Sequence, residues 1–139
     1  YLHECVNQAE KVGSAASRPL ALACNYLGEI YSLQKNYPES IKFLERGIGI
    51  NERTKDYTSL DREYGDLANV YKESVNSEKA IEAYKKALEL AFKRYGKENN
   101  RVQDYLVALI ELLERKGRDT EAKEYKKKYE YIKPLREKK

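Results

Sequence analysis

The chain has 139 residues, enough for one domain, and carries a net charge of +4 with 36% charged and 41% hydrophobic residues. Three prolines and seven glycines are too few for a disordered or loop-rich chain. No apolar run approaches the ~18 residues of a membrane-spanning helix. Two cysteines and one histidine are too few for a disulfide framework or a multi-histidine metal site.

Residues 1–12 predict a helix that has no partner within the chain. Its apolar residues share one face at helical spacing, and they are Leu2, Val6, Ala9 and Val12. Because one amphipathic helix cannot bury such a face alone, we expect a partner helix upstream. The first residue is not Met, and we expect the chain to be the C-terminal part of a longer array.

Residues 18–34 and 38–54 predict the first helical hairpin. Apolar residues recur every three or four positions in both segments. Asn36 favours a turn between them, and Pro38 stands where the first turn of a helix tolerates proline. The stripe of the first helix is Leu20, Cys24, Leu27 and Tyr31, and that of the second is Ile41, Phe43, Leu44 and Ile48.

Small residues in this hairpin predict close helix packing. Gly28 and Ser40 are expected to let the two helices approach each other. Gly47 and Gly49 also fall in a helical stretch. We therefore interpret them as packing glycines and not as parts of a phosphate-binding loop.

Residues 58–74 and 77–94 predict a second hairpin that repeats the first. Large and small apolar residues return to the same places 40 residues later, which indicates an internal repeat. The repeated pairs are Leu27 and Leu67, Gly28 and Ala68, Tyr31 and Tyr71, Ser40 and Ala80, and Ile41 and Ile81. The carboxylates Asp61 and Glu63 lie near the start of this hairpin, and we expect them to be solvated surface charges.

Residues 99–116 and 119–133 predict a third, more divergent hairpin, followed by a basic tail at 134–139. Tyr125 and Tyr129 share a helical face that is expected to cap this hairpin, while the lysines around them stay solvated. The last 25 residues contain 11 Lys or Arg and 5 Asp or Glu. This basic end can attract an acidic partner or a phosphate group.

The repeat resembles the tetratricopeptide repeat (TPR), a helix–turn–helix unit with Leu-Gly-x-x-Tyr in its first helix and a small residue, then an aromatic one, in its second. The residues that carry the resemblance are Leu67, Ala68, Tyr71, Ala80, Tyr84 and Ala87. The usual unit has about 34 residues, whereas the spacing here is 40 to 42. This longer unit is similar to the subclass found in kinesin light chains and in the Leu-Gly-Asn-repeat adaptors of spindle orientation.

The resemblance implies an all-α fold, an α-solenoid in which antiparallel helix hairpins stack into a right-handed superhelix. It implies one repeat domain at 1–133, with repeats at about 18–54, 58–94 and 99–133. It also implies a concave groove lined by the first helix of each hairpin. The groove residues expected to bind a peptide are Asn25, Glu29, Arg62, Asn69, Lys72, Asp104 and Glu111.

Two features of the groove bear on how it would bind. Asn69 stands where the spindle-orientation adaptors carry an Asn, and its amide can both donate to and accept from a peptide backbone. Chaperone-binding members instead clamp a C-terminal carboxylate with paired Lys and Asn. Asp66 and Asp104 occupy two of those positions here, so we do not expect that mode.

We therefore predict a non-catalytic, cytoplasmic adaptor or scaffold that binds a protein or peptide segment and needs no cofactor or metal. No phosphate-binding glycine motif points to an enzyme. Two alternatives stay open: an architectural subunit of a larger assembly, and an RNA-binding helical repeat that uses the basic C-terminal end. Nucleic acid is the less favoured partner because that end follows no known nucleic-acid motif.

Overall fold

The structure is a computed structural model that describes residues 17–129. This part of the chain contains six α-helices and no strands. None of these helices is both long and apolar enough to span a bilayer. The helices are α1 (Ser17–Leu33), α2 (Tyr37–Arg53), α3 (Leu60–Glu73), α4 (Ser77–Tyr95), α5 (Asn100–Arg115) and α6 (Asp119–Lys128).

The predicted all-α fold class is confirmed, and α1 to α5 begin and end within two residues of the predicted bounds. α6 ends at Lys128, whereas the prediction continued to residue 133. The predicted helix at 1–12 and the tail at 134–139 lie outside the described residues. The full extent of the domain therefore stays a prediction.

The three hairpin turns share one backbone geometry, which makes the repeat visible in the main chain. Each contains one residue with a left-handed φ, namely Lys35 at 60°, Val75 at 62° and Gly117 at 75°. The next amide N–H donates back to a carbonyl in the preceding helix, with an N···O distance of 2.8 Å in all three turns. Glycine usually takes this position because it lacks a Cβ, so Lys35 and Val75 adopt a conformation that glycine would adopt more easily.

Small residues let the two helices of a hairpin approach closely. A methyl group on Gly28 would lie 2.6 Å from Cγ and Cδ2 of Leu44. Ser40 is fully buried, and its Oγ donates to the carbonyl oxygen of Gly28 at 2.7 Å. Ala68 and Ala80 take the same two positions in the second hairpin and are fully buried. The packing role predicted for Gly28 and Ser40 is confirmed.

Gly47 and Gly49 have different surroundings. A methyl group on Gly47 would lie 2.7 Å from Oδ1 of Asn25, which agrees with a packing role. Gly49 is exposed, and a methyl group there would meet no atom within 4 Å. The packing role predicted for Gly49 is therefore wrong, because two positions along a helix turn a residue to the opposite side.

The buried apolar side chains form two clusters. The larger cluster begins at Leu44 in α2 and runs through α3, α4 and α5 to Tyr129, just after α6. The smaller cluster lies between α1 and α2 and consists of Leu20, Ala21, Cys24, Leu27, Phe43 and Ile50. Because neighbouring hairpins share the larger cluster, each repeat depends on the next one for burial.

Candidate peptide-binding groove

α1 and α3 lie side by side and leave a depression of about 290 Å³ between them, which we call the α1/α3 groove. Its apolar lining comes from three helices and consists of Leu33, Leu44 and Val70. Its polar lining consists of Glu29, Ser32, Asp66 and Asn69, with Gly28 between them. The groove thus brings together two of the predicted peptide-binding residues, Glu29 and Asn69, from consecutive repeats.

Asp66 is a half-buried carboxylate in this groove. Burial, followed by the negative charge of Glu29, raises the pKa of Asp66 to about 6. The guanidinium of Arg62 opposes this rise, and the carboxylate of Glu63 adds to it. Asp66 stands at one of the positions of the carboxylate clamp, and in the structure its carboxylate lines the groove together with Glu29.

Asn69 has an internal partner as well as an exposed position. Its Oδ1 accepts a hydrogen bond from the hydroxyl of Tyr84 in α4. Burial, with the charges of Glu73 and Glu111, raises the pKa of Tyr84 to about 12, so this hydroxyl remains a donor at neutral pH. With its oxygen engaged, Asn69 can offer a ligand its amide N–H groups.

Asn25 is half-buried, and its side chain is engaged inside the protein. Its Nδ2 donates to Oε1 of Glu63 at 2.8 Å. The same oxygen accepts from Nδ2 of Asn51 at 2.6 Å and from Oγ of Ser59 at 3.3 Å. Asn25 therefore does not line the α1/α3 groove, and its amide instead links α1 to α3 through Glu63.

The solvated role predicted for Asp61 and Glu63 is wrong, because both are buried with only 2% of their surface exposed. Oδ2 of Asp61 lies 3.5 Å from Nη1 of Arg101 and 3.3 Å from the hydroxyl of Tyr105. Both carboxylates lie in the first turn of α3, which is covered by α1 on one side and α5 on the other. A sequence signal existed in the repeat register, since the residue 40 positions before Asp61 is the buried Ala21.

The remaining predicted groove residues lie on the exposed surfaces of α3 and α5. They are Arg62, Lys72, Asp104 and Glu111. Gly65 lies on α3 between Arg62 and Asn69, and a methyl group there would lie 2.6 Å from the ring of Tyr105. α3 and α5 are therefore in direct contact at that level, and the space beside Gly65 is filled by Tyr105.

The aromatic residues near the basic end are packed on the second hairpin. The rings of Tyr125 and Tyr129 stack with their centroids 6.0 Å apart. The ring of Tyr129 meets that of Phe92 edge-on at 5.0 Å, and Nζ of Lys85 lies 5.8 Å above Tyr125. These contacts agree with the capping role predicted for this helical face.

Comparisons with known proteins identify the repeat. A family profile for the tetratricopeptide repeat matches residues 18–93, which include the first two hairpins. The crystal structure of BtubC (BKLC) from P. vanneervenii matches with a TM-score of 0.76 at 18% identity, over 92% of this chain and 51% of that one. Crystal structures of a Podosopora anserina protein described as a kinesin light chain with nearly identical TPR-like repeats give a TM-score of 0.63 at 18% identity, over 93% of this chain and 65% of that one.

These structural matches confirm the predicted TPR-type solenoid, and at 18% identity they show the fold alone. The chain spans about half to two thirds of the length of these structures. No curated protein matches the chain. Within residues 17–129 no group of three or more His, Cys, Asp or Glu side chains is placed to hold a metal ion.

Proposed function

The chain belongs to the tetratricopeptide repeat family, whose members are generally protein-interaction adaptors, and we propose that it is a non-catalytic adaptor that binds a protein segment along the face formed by α1, α3 and α5. The segment would lie across the first helices of consecutive hairpins, where an extended or helical chain can contact several repeats at once.

The observation that carries this proposal is the α1/α3 groove. Apolar residues and a small number of polar groups converge there, which is the usual composition of a recognition site. Glu29 and Asn69, which are 40 residues apart in sequence, come into one depression because consecutive repeats stack side by side.

The other predicted residues extend the proposed surface beyond the groove. Arg62 and Lys72 continue it along α3, and Asp104 and Glu111 continue it along α5. Each has an exposed side chain that a passing segment can reach. We assign Asn25 an indirect role, because its amide is bound to Glu63.

The proposal includes a cytoplasmic location and membership of a longer chain or multiprotein complex. The two cysteines of the sequence are too few for a disulfide framework, which agrees with a reducing compartment. The lack of catalytic function is proposed from the family, whose stacked repeats typically form binding surfaces.

An architectural role is the second candidate, and one specific observation favours it. Four large apolar side chains lie on one exposed face of α1, at spacings of four, four and three residues. They are Leu22, Tyr26, Ile30 and Leu33. A further helix of the same assembly could pack there. The RNA-binding alternative has less support, because Tyr125 and Tyr129 already stack on each other and base stacking needs an open ring face.

The proposal is tested by crosslinking capture from native lysate with wild type and with Glu29→Lys/Arg62→Glu, which keeps the net charge. The control is Lys123→Glu/Glu124→Lys on the exposed surface of α6. We expect one partner to be captured by wild type and the control and lost with the groove variant. If all three capture the same proteins, the groove is not the binding site and the architectural role is favoured.

A further inference from the structure

We propose that the α1/α3 groove recognises the side chain of a lysine or arginine in the bound segment. This inference rests on the proposed function, and it specifies the residue of the partner that the groove selects.

The size and lining of the groove suit one long side chain with an aliphatic stem. Its volume of about 290 Å³ is near the lower limit of pockets that hold drug-sized ligands. Leu33, Leu44 and Val70 supply apolar surface. Lysine and arginine bury their methylene groups along such surface while the charged end stays near polar groups.

The charge of the groove is complementary to a cation. Among the described residues that line it, the charged ones are Glu29 and Asp66, and both are carboxylates. Burial, followed by the charge of Glu29, keeps the pKa of Asp66 raised although Arg62 lowers it, so the protein's own cation does not offset the cost of keeping this carboxylate charged beside Glu29. An incoming ammonium or guanidinium group would offset that cost with charge-assisted hydrogen bonds.

The surface beside the groove indicates that the cation belongs to a protein segment and not to a free small molecule. Leu33 lines the groove and also ends the exposed apolar face of α1. Leu22, Tyr26 and Ile30 continue this face, and each has more than 40% of its surface exposed. A segment with a basic residue in the groove would place neighbouring apolar residues on this face.

The experiment uses a random peptide library displayed on phage and selected on the wild-type chain. The strongest binder is then synthesised twice, with its basic residue kept or replaced by norleucine, which keeps the aliphatic stem and removes the charge. Both peptides are titrated against wild type, Glu29→Gln/Asp66→Asn, and the control Glu89→Gln/Glu124→Gln on the exposed surfaces of α4 and α6. Circular dichroism verifies that every variant is folded.

We expect norleucine to weaken binding to wild type by about tenfold, in line with the loss of a charge-assisted hydrogen bond. The groove variant should bind the basic peptide about tenfold more weakly and should bind the norleucine peptide as wild type does. Both changes remove the same interaction, one from the peptide and the other from the groove. The control should bind both peptides as wild type does.

The other outcomes separate this inference from the proposed function. If Glu29→Lys/Arg62→Glu abolishes peptide binding but norleucine changes nothing, the segment binds the groove without a basic anchor and the inference is wrong. If no peptide is selected, or that variant leaves binding intact, both proposals fail. If the chain alone sediments as a dimer that Glu29→Gln/Asp66→Asn dissociates, a second copy occupies the groove and the inference is again wrong.

Discussion

Glu63 joins the first and second hairpins through a single oxygen atom. Its Oε1 accepts from Asn25 in α1, Asn51 at the end of α2 and Ser59 before α3. Hydrogen bonds to an ionised acceptor are about twice as strong as neutral ones. The three donors also share one acceptor, so the loss of Glu63 leaves buried polar groups unsatisfied.

We therefore expect Glu63→Ala to lower the free energy of unfolding by about 2 to 4 kcal/mol. Urea unfolding followed by circular dichroism measures this change. Glu89→Ala, an exposed carboxylate of α4, is the matched control and should change stability by less than about 0.5 kcal/mol. Equal effects of the two substitutions would show that Glu63 has no anchoring role.

Asp66 makes the stability of the folded protein depend on pH between about 4 and 6. Its pKa is about 6 in the folded protein against a usual value of 3.8, so the folded state binds the proton more tightly than the unfolded chain. A raised pKa of this kind contributes stability that is fully present below about pH 4 and is lost as the pH rises through 6.

Asp66→Asn removes this dependence because the amide has the shape of the protonated carboxyl. We expect the variant to be more stable than wild type by roughly 1 to 3 kcal/mol at pH 7, and the difference to disappear near pH 4. Urea unfolding of both proteins from pH 4 to pH 8 tests this. A difference that stays constant over that range would contradict the raised pKa.

At the scale of elements, the hairpin turns contain an avoidable conformational strain. Val75 has a φ of 62° and is 87% exposed, whereas Gly117 adopts a φ of 75° at the matching position of the third hairpin. A β-branched residue is disfavoured in this left-handed conformation. Val75→Gly should therefore stabilise the chain by about 1 kcal/mol, and Gly117→Val should destabilise it by a similar amount. Thermal unfolding of both variants measures the two shifts, and shifts of the same sign would contradict the argument.

The glycines of the first hairpin form a second matched pair. A methyl group on Gly28 would overlap the buried Leu44, while one on Gly49 would meet open space. Alanine is favoured over glycine inside a helix by about 1 kcal/mol. Gly49→Ala should therefore raise the unfolding midpoint, and Gly28→Ala should lower it because overpacking costs about 1 to 3 kcal/mol. A stabilising Gly28→Ala would mean that the helices are not in close contact at this level.

The helices were predictable from the sequence because their apolar spacing is a local property. The 40-residue period also placed Gly28 and Ser40 correctly, since both positions recur as alanine. Gly49 was misassigned because a helical position alone does not say which side of the helix a residue occupies. The error was avoidable, as Gly47 and Gly49 cannot face the same way in a helix.

At the scale of the whole molecule, the contacts between repeats were not predictable in the same way. Asp61 and Glu63 appear as a common acidic start of a helix. The repeat register pairs Asp61 with the apolar Ala21, but the burial of both carboxylates depends on how α1 and α5 pack on α3. The α1/α3 groove likewise depends on how far apart two helices stack, which no residue pattern specifies. The register of the repeat predicted that Glu29 and Asn69 would share a surface and gave Asp66 a clamp position in the groove, but the half-burial of Asp66 beside Glu29 required the structure.

The two apolar clusters predict that the array opens in parts. Phe43 is buried in the cluster between α1 and α2, and Leu109 is buried in the cluster shared by α2 to α6. In a solenoid, stability is approximately the sum of the intrinsic stability of each repeat and the interaction energy between neighbouring repeats. A destabilising substitution should therefore increase the opening of the repeats nearest to it.

We chose Phe43→Leu and Leu109→Val because each removes little volume and should cost only about 1 to 1.5 kcal/mol. Native-state hydrogen exchange should show faster exchange in α1 and α2 for the first variant, with α4 and α5 close to wild type. The second variant should show the reverse, with α5 and α6 opening first. The basis of both expectations is that α1 packs mainly on α2, while the later helices share one core. If either substitution accelerates exchange equally from α1 to α6, the described helices unfold as one cooperative unit, and the two clusters do not open separately.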